Sequence, residues 1–440
     1  MVVGRKPRSL SLELRAALLA LALALVPAAG GHAAERAATA PPVAATQATT
    51  GPAIAIGGAL RDDNAAVWTR LIELAGGPGA RFVVLATASG DPQAAAQGTI
   101  AALVANGAVA EHLPVAPELK GVDNERAVRD PALIAKVRAA NGVFFTGGDQ
   151  ARLVDTLRPG GVESPLLLAI RELQLRGGVV AGTSAGAAIM SRTMFRDPAS
   201  VITLLKGPVR KGIDDDAGLG FAQSDLFVDQ HFLRRGRLGR MLALMQARGM
   251  TLGLGVEEDA AAVLRGDTIE VLGAAGALLV DLSEATTDPR LGAFNLAHAR
   301  LTYLGDGDRY DLRTRTLLPA AAKLQGQPID PRAPDFKPYH DDAPFALDVL
   351  AGGVVIDRMV RVVDGKSTEA RGLAFDPSPD AAAPRDLGFE FRFIRRPDTI
   401  AWYDPVPSAD AYTIANVRLD VVPVRVAQPL FEPWQRRPQR

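Results

Sequence analysis

Cysteine is absent from the 440-residue chain. Its absence excludes disulfide bonds, thiolate metal sites and a cysteine nucleophile. The chain also lacks an excess of either charge, because 49 basic and 49 acidic residues give a formal net charge of +0. No overall field therefore favours nucleic acid or an acidic membrane, and any charge selectivity has to be local. The length exceeds what one simple core requires, which favours two domains or one domain with an addition.

Long apolar runs are confined to the N-terminus, where basic residues precede an uninterrupted stretch from Ala16 to Val26. Small residues follow, and Gly31-His32-Ala33 is an acceptable cleavage context, so residues 1–33 are predicted to be a secretory signal peptide. The stretch is short for a membrane span, and an uncleaved anchor is the alternative. Residues 34–50, rich in Ala, Thr and Pro, are predicted to be a disordered leader. We therefore expect a secreted or periplasmic protein without membrane contact after signal removal.

Short apolar runs alternate with helical patterns through the first part of the chain. The predicted strands are Ala53–Ile56, Arg81–Ala86, Val143–Thr146, Val179–Thr183, Asp225–Asp229 and Leu252–Val256, and the predicted helices are Asn64–Ala75, Pro92–Asn106, Pro131–Ala140, Pro165–Arg176 and Arg235–Arg248. This alternation predicts an α/β fold with a mostly parallel sheet covered on both faces. Ligands bind at the carboxyl ends of such strands, which directs attention to the loops there, beginning with Gly57-Gly58.

The pattern changes after residue 256. Residues 260–264 and 268–272 are predicted to form a hairpin, and we assign residues 51–305 to one α/β domain. Residues 306–344, rich in Pro, Asp and Gly, are predicted to be a linker or a long surface connection. Residues 345–440 are predicted to be a small α+β addition, with a helix over Phe345–Val363 and period-two strands near residues 389–393 and 417–421.

Gly182-Thr183-Ser184-Ala185-Gly186 matches G-x-S-x-G at a point where a predicted strand meets a predicted helix. This context is the one that a nucleophile elbow requires, because flanking glycines permit a sharp turn that exposes the serine oxygen. The amide of the following residue can then stabilise an oxyanion. A tight turn with a capping serine is the alternative.

His231 is the histidine that directly follows a predicted strand, out of five histidines in the chain. We expect it at the carboxyl edge of the same sheet as Ser184, where it could act as the general base. A base needs an orienting acid. Glu257, Glu258 and Asp259 follow the next strand, and the residues by themselves leave the choice among them open. A buried structural histidine and a solvated acidic turn are the alternatives.

Two further loops carry groups suited to an acyl-transfer site. Residues 146–150 (TGGDQ) follow a predicted strand and open a helix, which suits half of an oxyanion hole, although a plain turn has the same pattern. Residues 234–240 contain four arginines, and arginine forks bind carboxylates at two points. A solvated helix face is the alternative for the arginines.

In order and spacing, these motifs resemble the cyanophycinases. The matching segments are residues 146–150 (TGGDQ), 182–187 (GTSAGA), 229–232 (DQHF) with the arginines that follow, and 253–260 (GLGVEEDA). The resemblance extends over about residues 54–272. It implies a three-layer α/β/α sandwich of the class I glutamine-amidotransferase type and a grouping with the aspartyl dipeptidases. It further implies a serine exopeptidase that releases β-aspartyl-arginine from cyanophycin, an aspartate polymer carrying arginine on each side-chain carboxylate.

The resemblance also implies a role for individual residues. Ser184 would be the nucleophile, His231 the base and Glu258 the acid, with oxyanion amides from Gly148 and Ala185. The residues implied to bind substrate are Asp149, Gln150, Gln230, Arg235, Arg237 and Arg240. The family usually has Asp before the catalytic Glu, whereas this chain has Glu257. Whether Glu258 or Glu257 is the acid therefore stays open.

The predicted partner is a polymeric peptide substrate, with no metal or organic cofactor and no nucleic acid; a homodimer is an option. A signal peptide and a C-terminal extension fit the secreted members of the family. Three other hypotheses remain: a related peptidase for other aspartyl or isoaspartyl peptides, an α/β-hydrolase esterase, and a non-catalytic binding protein. The order Ser, His, acid speaks against the esterase, because that fold has the acid before the histidine.

Overall fold

The described part of the computed structural model comprises residues 50–222, 224–404, 412–427 and 429–430. The predicted signal peptide, and the predicted leader up to residue 49, lie outside these residues. The strands are β1 (Ala53–Ile56), β2 (Arg81–Leu85), β3 (Val109–His112), β4 (Gly142–Phe145), β5 (Val179–Thr183), β6 (Thr193–Phe195), β7 (Asp215–Ala217), β8 (Phe227–Gln230), β9 (Leu252–Val256), β10 (Ala260–Arg265), β11 (Thr268–Gly273), β12 (Ala277–Asp281), β13 (Leu296–Leu304), β14 (Arg309–Asp311), β15 (Thr316–Leu318), β16 (Glu369–Ala374), β17 (Leu387–Ile394), β18 (Ile400–Tyr403) and β19 (Tyr412–Arg425).

Polar caps and prolines begin several of the helices at the residues where the sequence predicts them. The helices are α1 (Ala65–Leu74), α2 (Pro92–Ala105), α3 (Asn124–Ala127), α4 (Pro131–Ala139), α5 (Gln150–Leu157), α6 (Pro165–Leu175), α7 (Ala185–Ala188), α8 (Val201–Lys206), α9 (Leu238–Arg248) and α10 (Val354–Val363). Asp91 and Ser164 accept hydrogen bonds from amides of the first turns of α2 and α6, and a proline follows each cap. These residues satisfy or remove amides that have no partner inside the helix.

The first sheet has the strand order β15-β14-β11-β10-β1-β5-β4-β2-β3. Strands β1 to β5 are parallel, and β10, β11, β14 and β15 run antiparallel, so the sheet is mixed rather than mostly parallel. The strand direction changes next to β1, because β10 of the β10–β11 hairpin pairs with β1 in the antiparallel sense. Alternate residues of β1 to β5 enter two separate cores, one containing side chains of α1 and α2 and the other side chains of α4 and α6.

The second sheet has the order β16-β17-β19-β13-β12-β9-β8, with β18 paired to β19. Strands β8 and β9 are parallel to each other, and β9 pairs antiparallel with β12. The expectation that His231 lies at the edge of the same sheet as Ser184 is therefore wrong. The strand before His231 is in the second sheet, because β9 pairs with β12 of the ladder built by β12, β13 and β19, and β8 pairs with β9.

The C-terminal residues are built into both sheets instead of following a linker. Strands β14 and β15, from the predicted linker, form the edge of the first sheet. Phe389, Phe391 and Phe393 of β17 are fully buried in one cluster with side chains of α9 and α10. The predicted helix over 345–363 begins only at Val354, after Gly353 takes a left-handed φ of +81°.

The described residues, from 50 onward, accordingly form one compact unit. A domain boundary near residue 305 would cut β13 from β14 and divide the second sheet, since β17 and β19 pair with each other and with β13. Within the described residues, no helix combines the length and the apolar character needed to cross a membrane.

Candidate active site

Ser184 stands at a strained turn between β5 and α7, with φ +53° and ψ −112°. A Cβ atom built on Gly182 would lie 2.3 Å from the carbonyl oxygen of Gly186, and one built on Gly186 would lie 2.5 Å from that of Phe145. No side chain fits at either position without movement of the backbone. The flanking glycines therefore permit the sharp turn, which is the geometry expected for a nucleophile elbow.

His231 connects Ser184 to an acid across the junction of the two sheets. Its Nε2 lies 2.9 Å from Oγ of Ser184, and its Nδ1 lies 2.6 Å from Oε1 of Glu258. The residue has a positive φ of +46°, and its amide donates to the carbonyl of Gly57 at 2.8 Å. Ser184, His231 and Glu258, predicted from separate segments, are thus brought together in the order that an acyl-transfer triad requires.

The three adjacent acids after β9 have different partners. Glu258 contacts the His231 ring, whereas Glu257 is buried and accepts hydrogen bonds from the amides of Leu233 at 2.5 Å and Arg234 at 3.2 Å. Asp259 faces the other side, where its carboxylate accepts from the Asn64 side chain at 2.8 Å. Glu258 is therefore the acid beside His231. Glu257 instead accepts hydrogen bonds from backbone amides that follow the histidine.

Gly58 is a residue of the site to which sequence reasoning assigned no role. It has φ +107°, and a Cβ built there would lie 2.2 Å from Cε1 and 2.4 Å from Nε2 of His231. Its carbonyl accepts from the amide of Asp259 at 2.9 Å. The signal that could have found it is the position of Gly57-Gly58 directly after the first strand, at the sheet edge where ligands gather.

Burial lowers the pKa of His231 below its usual value, with further lowering by the nearby charges of Arg235 and Arg237. The hydrogen bond and charge of Glu258 oppose this effect. Because the burial effect is the largest, the imidazole is neutral at neutral pH, as a general base must be.

Gly148 and Ala185 occupy the two backbone positions expected to supply oxyanion amides. A Cβ built on neighbouring Gly147 would lie 3.1 Å from Cβ and 3.6 Å from Oγ of Ser184, so the loop passes beside the serine. Gly148 has φ +139°, and a Cβ there would lie 2.0 Å from the carbonyl oxygen of Ala88. Only glycine fits this approach, and Ala185, which follows Ser184, opens α7.

Comparison with known protein families concerns the part of the chain that contains these site residues. The profile of peptidase family S51 matches residues 53–272, half of the chain. This chain belongs to peptidase family S51. The match, called here the S51 segment, contains Ser184, His231, Glu258 and the arginines, and its name places the chain among peptidases, which are hydrolases.

Similar curated proteins carry a more specific name. A cyanophycinase of Trichormus variabilis is 39% identical over 198 residues, which is 43% of this chain and 63% of the relative. A cyanophycinase of Synechococcus elongatus is 35% identical over 192 residues, or 41% of this chain and 56% of that protein. The chain thus spans less than two thirds of the length of these relatives. Among solved structures, a peptidase from an acI-B1 Actinobacterium is 22% identical, with a TM-score of 0.43 over 60% of this chain and 98% of that one.

Within the S51 segment, the residues expected to bind substrate divide into exposed and buried groups. Arg235 has a 54% exposed side chain, with its Nε 3.9 Å from the Glu258 carboxylate. Arg237 is mostly buried and donates to the carbonyl of Gln230 at 2.6 Å; burial lowers its pKa to about 10. Gln230 is 5% exposed, and its Oε1 has no hydrogen-bond partner among the described residues. These three residues retain groups that a ligand could contact.

Arg240 has a different position from the one expected of a substrate contact. Its guanidinium is buried, donates to both carboxylate oxygens of Asp229 at 2.6 and 2.8 Å, and lies 4.4 Å from the centre of the Phe195 ring. Asp229 also lies 3.5 Å from Arg237. Arg240 therefore stabilises the carboxylate that holds Arg237, which is a supporting position.

Asp149 and Gln150 are also engaged by the fold. The Asp149 carboxylate caps α5, accepting from the amide of Ala151 at 2.8 Å. The Gln150 amide donates to the carbonyls of Phe195 at 2.9 Å and Arg196 at 3.2 Å. Among the described residues no group of three or more His, Cys, Asp or Glu side chains is placed to hold a metal ion.

Proposed function

We propose that this S51 protein is a serine exopeptidase that hydrolyses cyanophycin to β-aspartyl-arginine dipeptides through an acyl-enzyme. One observation carries the proposal: the His231 ring lies within hydrogen-bond distance of both Ser184 and Glu258, inside the S51 segment. The similarity to cyanophycinases, 39% identical over 198 residues, supports it. The substrate comes from the names of relatives that the chain matches over only part of their length.

The mechanism follows from the order of the three side chains. The Ser184 hydroxyl transfers its proton to Nε2 of His231 while its oxygen attacks the aspartyl carbonyl carbon. The amides of Gly148 and Ala185 hold the resulting oxyanion. When the peptide C–N bond breaks, His231 returns the proton to the leaving nitrogen. Glu258 holds the imidazole orientation and stabilises the imidazolium.

Deacylation repeats the same proton transfers with water. His231 takes a proton from a water molecule, whose oxygen attacks the acyl carbon, and the Ser184 oxygen leaves and recovers the proton. The product is a free carboxylate. We propose that Arg235 and Arg237, with Gln230, hold the substrate, since guanidinium groups bind carboxylates at two points.

The test is incubation of the purified protein with insoluble cyanophycin, with soluble products identified by mass. We expect release of β-aspartyl-arginine that a serine-directed inhibitor blocks. Labelling of Ser184 without product release would reject cyanophycin and favour a peptidase for other aspartyl or isoaspartyl peptides. Binding to the polymer without labelling or turnover would favour the non-catalytic hypothesis.

We also propose secretion or export to the periplasm, on the sequence of residues 1–33 alone. The test is N-terminal sequencing of the protein recovered outside the cytoplasm after expression of the full chain. Cleavage near Ala33 supports the proposal, whereas an intact N-terminus on membrane-bound protein supports an anchor.

A further inference from the structure

A turn from outside the S51 segment contacts the loop that carries the arginines. We call residues 231–237 the arginine loop and residues 348–353 the C-terminal turn. Gly236 of the arginine loop has φ +63°, and a Cβ built there would lie 2.6 Å from the carbonyl oxygen of Leu350. The same Cβ would lie 3.2 Å from Cβ of Leu350. No side chain fits between the loop and the turn at this point.

The second contact lies on the other side of Arg235. A Cβ built on Gly352 would lie 3.5 Å from the carbonyl oxygen of Arg234 and 3.8 Å from its Cδ. These are ordinary van der Waals distances, so alanine fits at Gly352. We expect a branched side chain at the same position to crowd Arg234. The C-terminal turn thus lies beside both chain neighbours of Arg235.

The C-terminal turn has firm supports of its own. Val349 is fully buried, and its amide donates to the carbonyl of Leu373 in β16 at 2.9 Å. Val349 also shares its hydrophobic core with Phe232 and Leu233 of the arginine loop. The loop and the turn are therefore two surfaces of one core, which can transmit the position of one to the other.

The arginine loop carries Arg235, whose side chain has few contacts of its own among the described residues. Arg235 is 54% exposed, and the nearest carboxylate, that of Glu258, lies 3.9 Å away. A long exposed side chain loses conformational freedom when it binds a ligand, and a backbone that is fixed in advance keeps the total ordering cost low.

We propose that the C-terminal turn is a positioning element for substrate binding, which fixes the backbone that presents Arg235 and Arg237 to substrate carboxylates. The inference rests on the proposed function and adds residues beyond the family match to the binding site. It also gives the C-terminal region a specific task at the site.

The test compares two pairs of glycine variants of the full chain. Gly236→Ala introduces both a positive-φ strain and the clash with Leu350, whereas Gly249→Ala, with φ +66° and open space around it, introduces the strain alone. Gly352→Leu is expected to crowd Arg234, whereas Gly352→Ala fits at contact distance. Steady-state kinetics are measured on a soluble β-aspartyl-arginine oligomer and on p-nitrophenyl acetate, a neutral ester without carboxylates, with thermal melting as a fold control.

We expect Gly236→Ala and Gly352→Leu to raise KM for the oligomer about tenfold, the size of a weakened charged contact, with kcat and ester turnover near wild type. Gly249→Ala and Gly352→Ala should keep the wild-type KM. Should Gly236→Ala fail to fold, the Gly352 pair alone decides.

An unchanged KM in Gly352→Leu would overturn the inference, as would equal effects of Gly236→Ala and Gly249→Ala. Equal losses on both substrates would also overturn it, because they would indicate general damage to the site. No turnover of the oligomer by the wild-type protein would instead reject the proposed function, and this inference with it.

Discussion

The two sides of the site are built in different ways. Ser184 depends on a short local motif at the end of β5, where adjacent glycines permit a strained backbone. His231 and Glu258 lie at the end of the second sheet, and the core behind that sheet comes largely from residues beyond 277. The proposed nucleophile is thus fixed locally, whereas the proposed base and acid are fixed by long-range packing.

This difference shows why the geometry of the Ser184 turn can be predicted from a local motif, whereas the placement of His231 and Glu258 depends on the fold. The chain crosses from the second sheet to the first between β9 and β10, and Glu258 lies in that crossing. Gly57 and Gly58 join the two sides, since their carbonyls accept from the amides of His231 and Asp259. The site is therefore sensitive to substitutions at the junction that leave all three catalytic candidates intact.

Removal of the nucleophile should have the largest effect. Ser184→Ala is expected to lower turnover by about 10⁴- to 10⁶-fold, because no other group can form the acyl-enzyme. The melting temperature should stay near wild type, since the side chain is small and its hydroxyl contacts His231 rather than capping α7. Product release by mass spectrometry and a thermal melt check both parts. Turnover near the wild-type rate would end the serine mechanism.

The two adjacent glutamates should separate catalysis from stability. Glu258→Gln is expected to lower kcat by about 10³- to 10⁴-fold, because an amide cannot stabilise the imidazolium or hold its tautomer. Each carboxylate oxygen of Glu257 accepts from one backbone amide, and Glu257→Gln replaces one of these oxygens with an NH2 donor. We expect this variant mainly to lower the free energy of unfolding, by about 1–3 kcal/mol.

Kinetics and denaturant unfolding of both variants, under identical conditions, make the comparison. Equal catalytic losses with equal stability would contradict the assignment of the acid to Glu258 alone.

Gly58→Ala tests the junction itself. The new methyl group would overlap the His231 ring, and a displacement of the base by about 1 Å typically costs about 10²-fold in rate. Gly76→Ala is the matched control, because Gly76 has a similar φ of +111° and open space around it. Both variants should lose about 1–3 kcal/mol of stability from backbone strain, but only Gly58→Ala should lose activity. Similar kcat values for the two variants would show that the ring tolerates the contact.

The pH profile should show the smallest effect. Burial lowers the pKa of His231, so kcat/KM should stay high at neutral pH and fall as pH decreases through that lowered pKa. Arg235→Gln removes a cation that disfavours the imidazolium, so the acidic limb should move to higher pH. A limb that moves to lower pH in this variant would contradict the assignment of the limb to His231.

Much of the first sheet could be predicted, because its signals are local. Apolar runs of four or five residues between glycines and polar caps predicted β1, β2, β4, β5, α1, α2, α4 and α6 within about one residue, whereas β3 and α3 were not predicted. The second sheet could not be predicted, since pairing of β9 with β12 and of β13 with β19 depends on contacts far apart in sequence. The helix expected from residue 345 was too long, because apolar residues there belong to an irregular segment that ends at Gly353.

The sequence by itself determined the nucleophile turn, the residues available as base and acid, and the family, because these depend on short motifs and their order. The tertiary structure decided which acid meets His231, that Arg240 is buried against Asp229, and that Gly58 lies against the imidazole. It also decided that the C-terminal residues complete the core behind the arginine loop. These outcomes depend on the meeting of two sheets, which no local pattern encodes, since hydrophobic periodicity specifies a buried face but not the strand that will cover it.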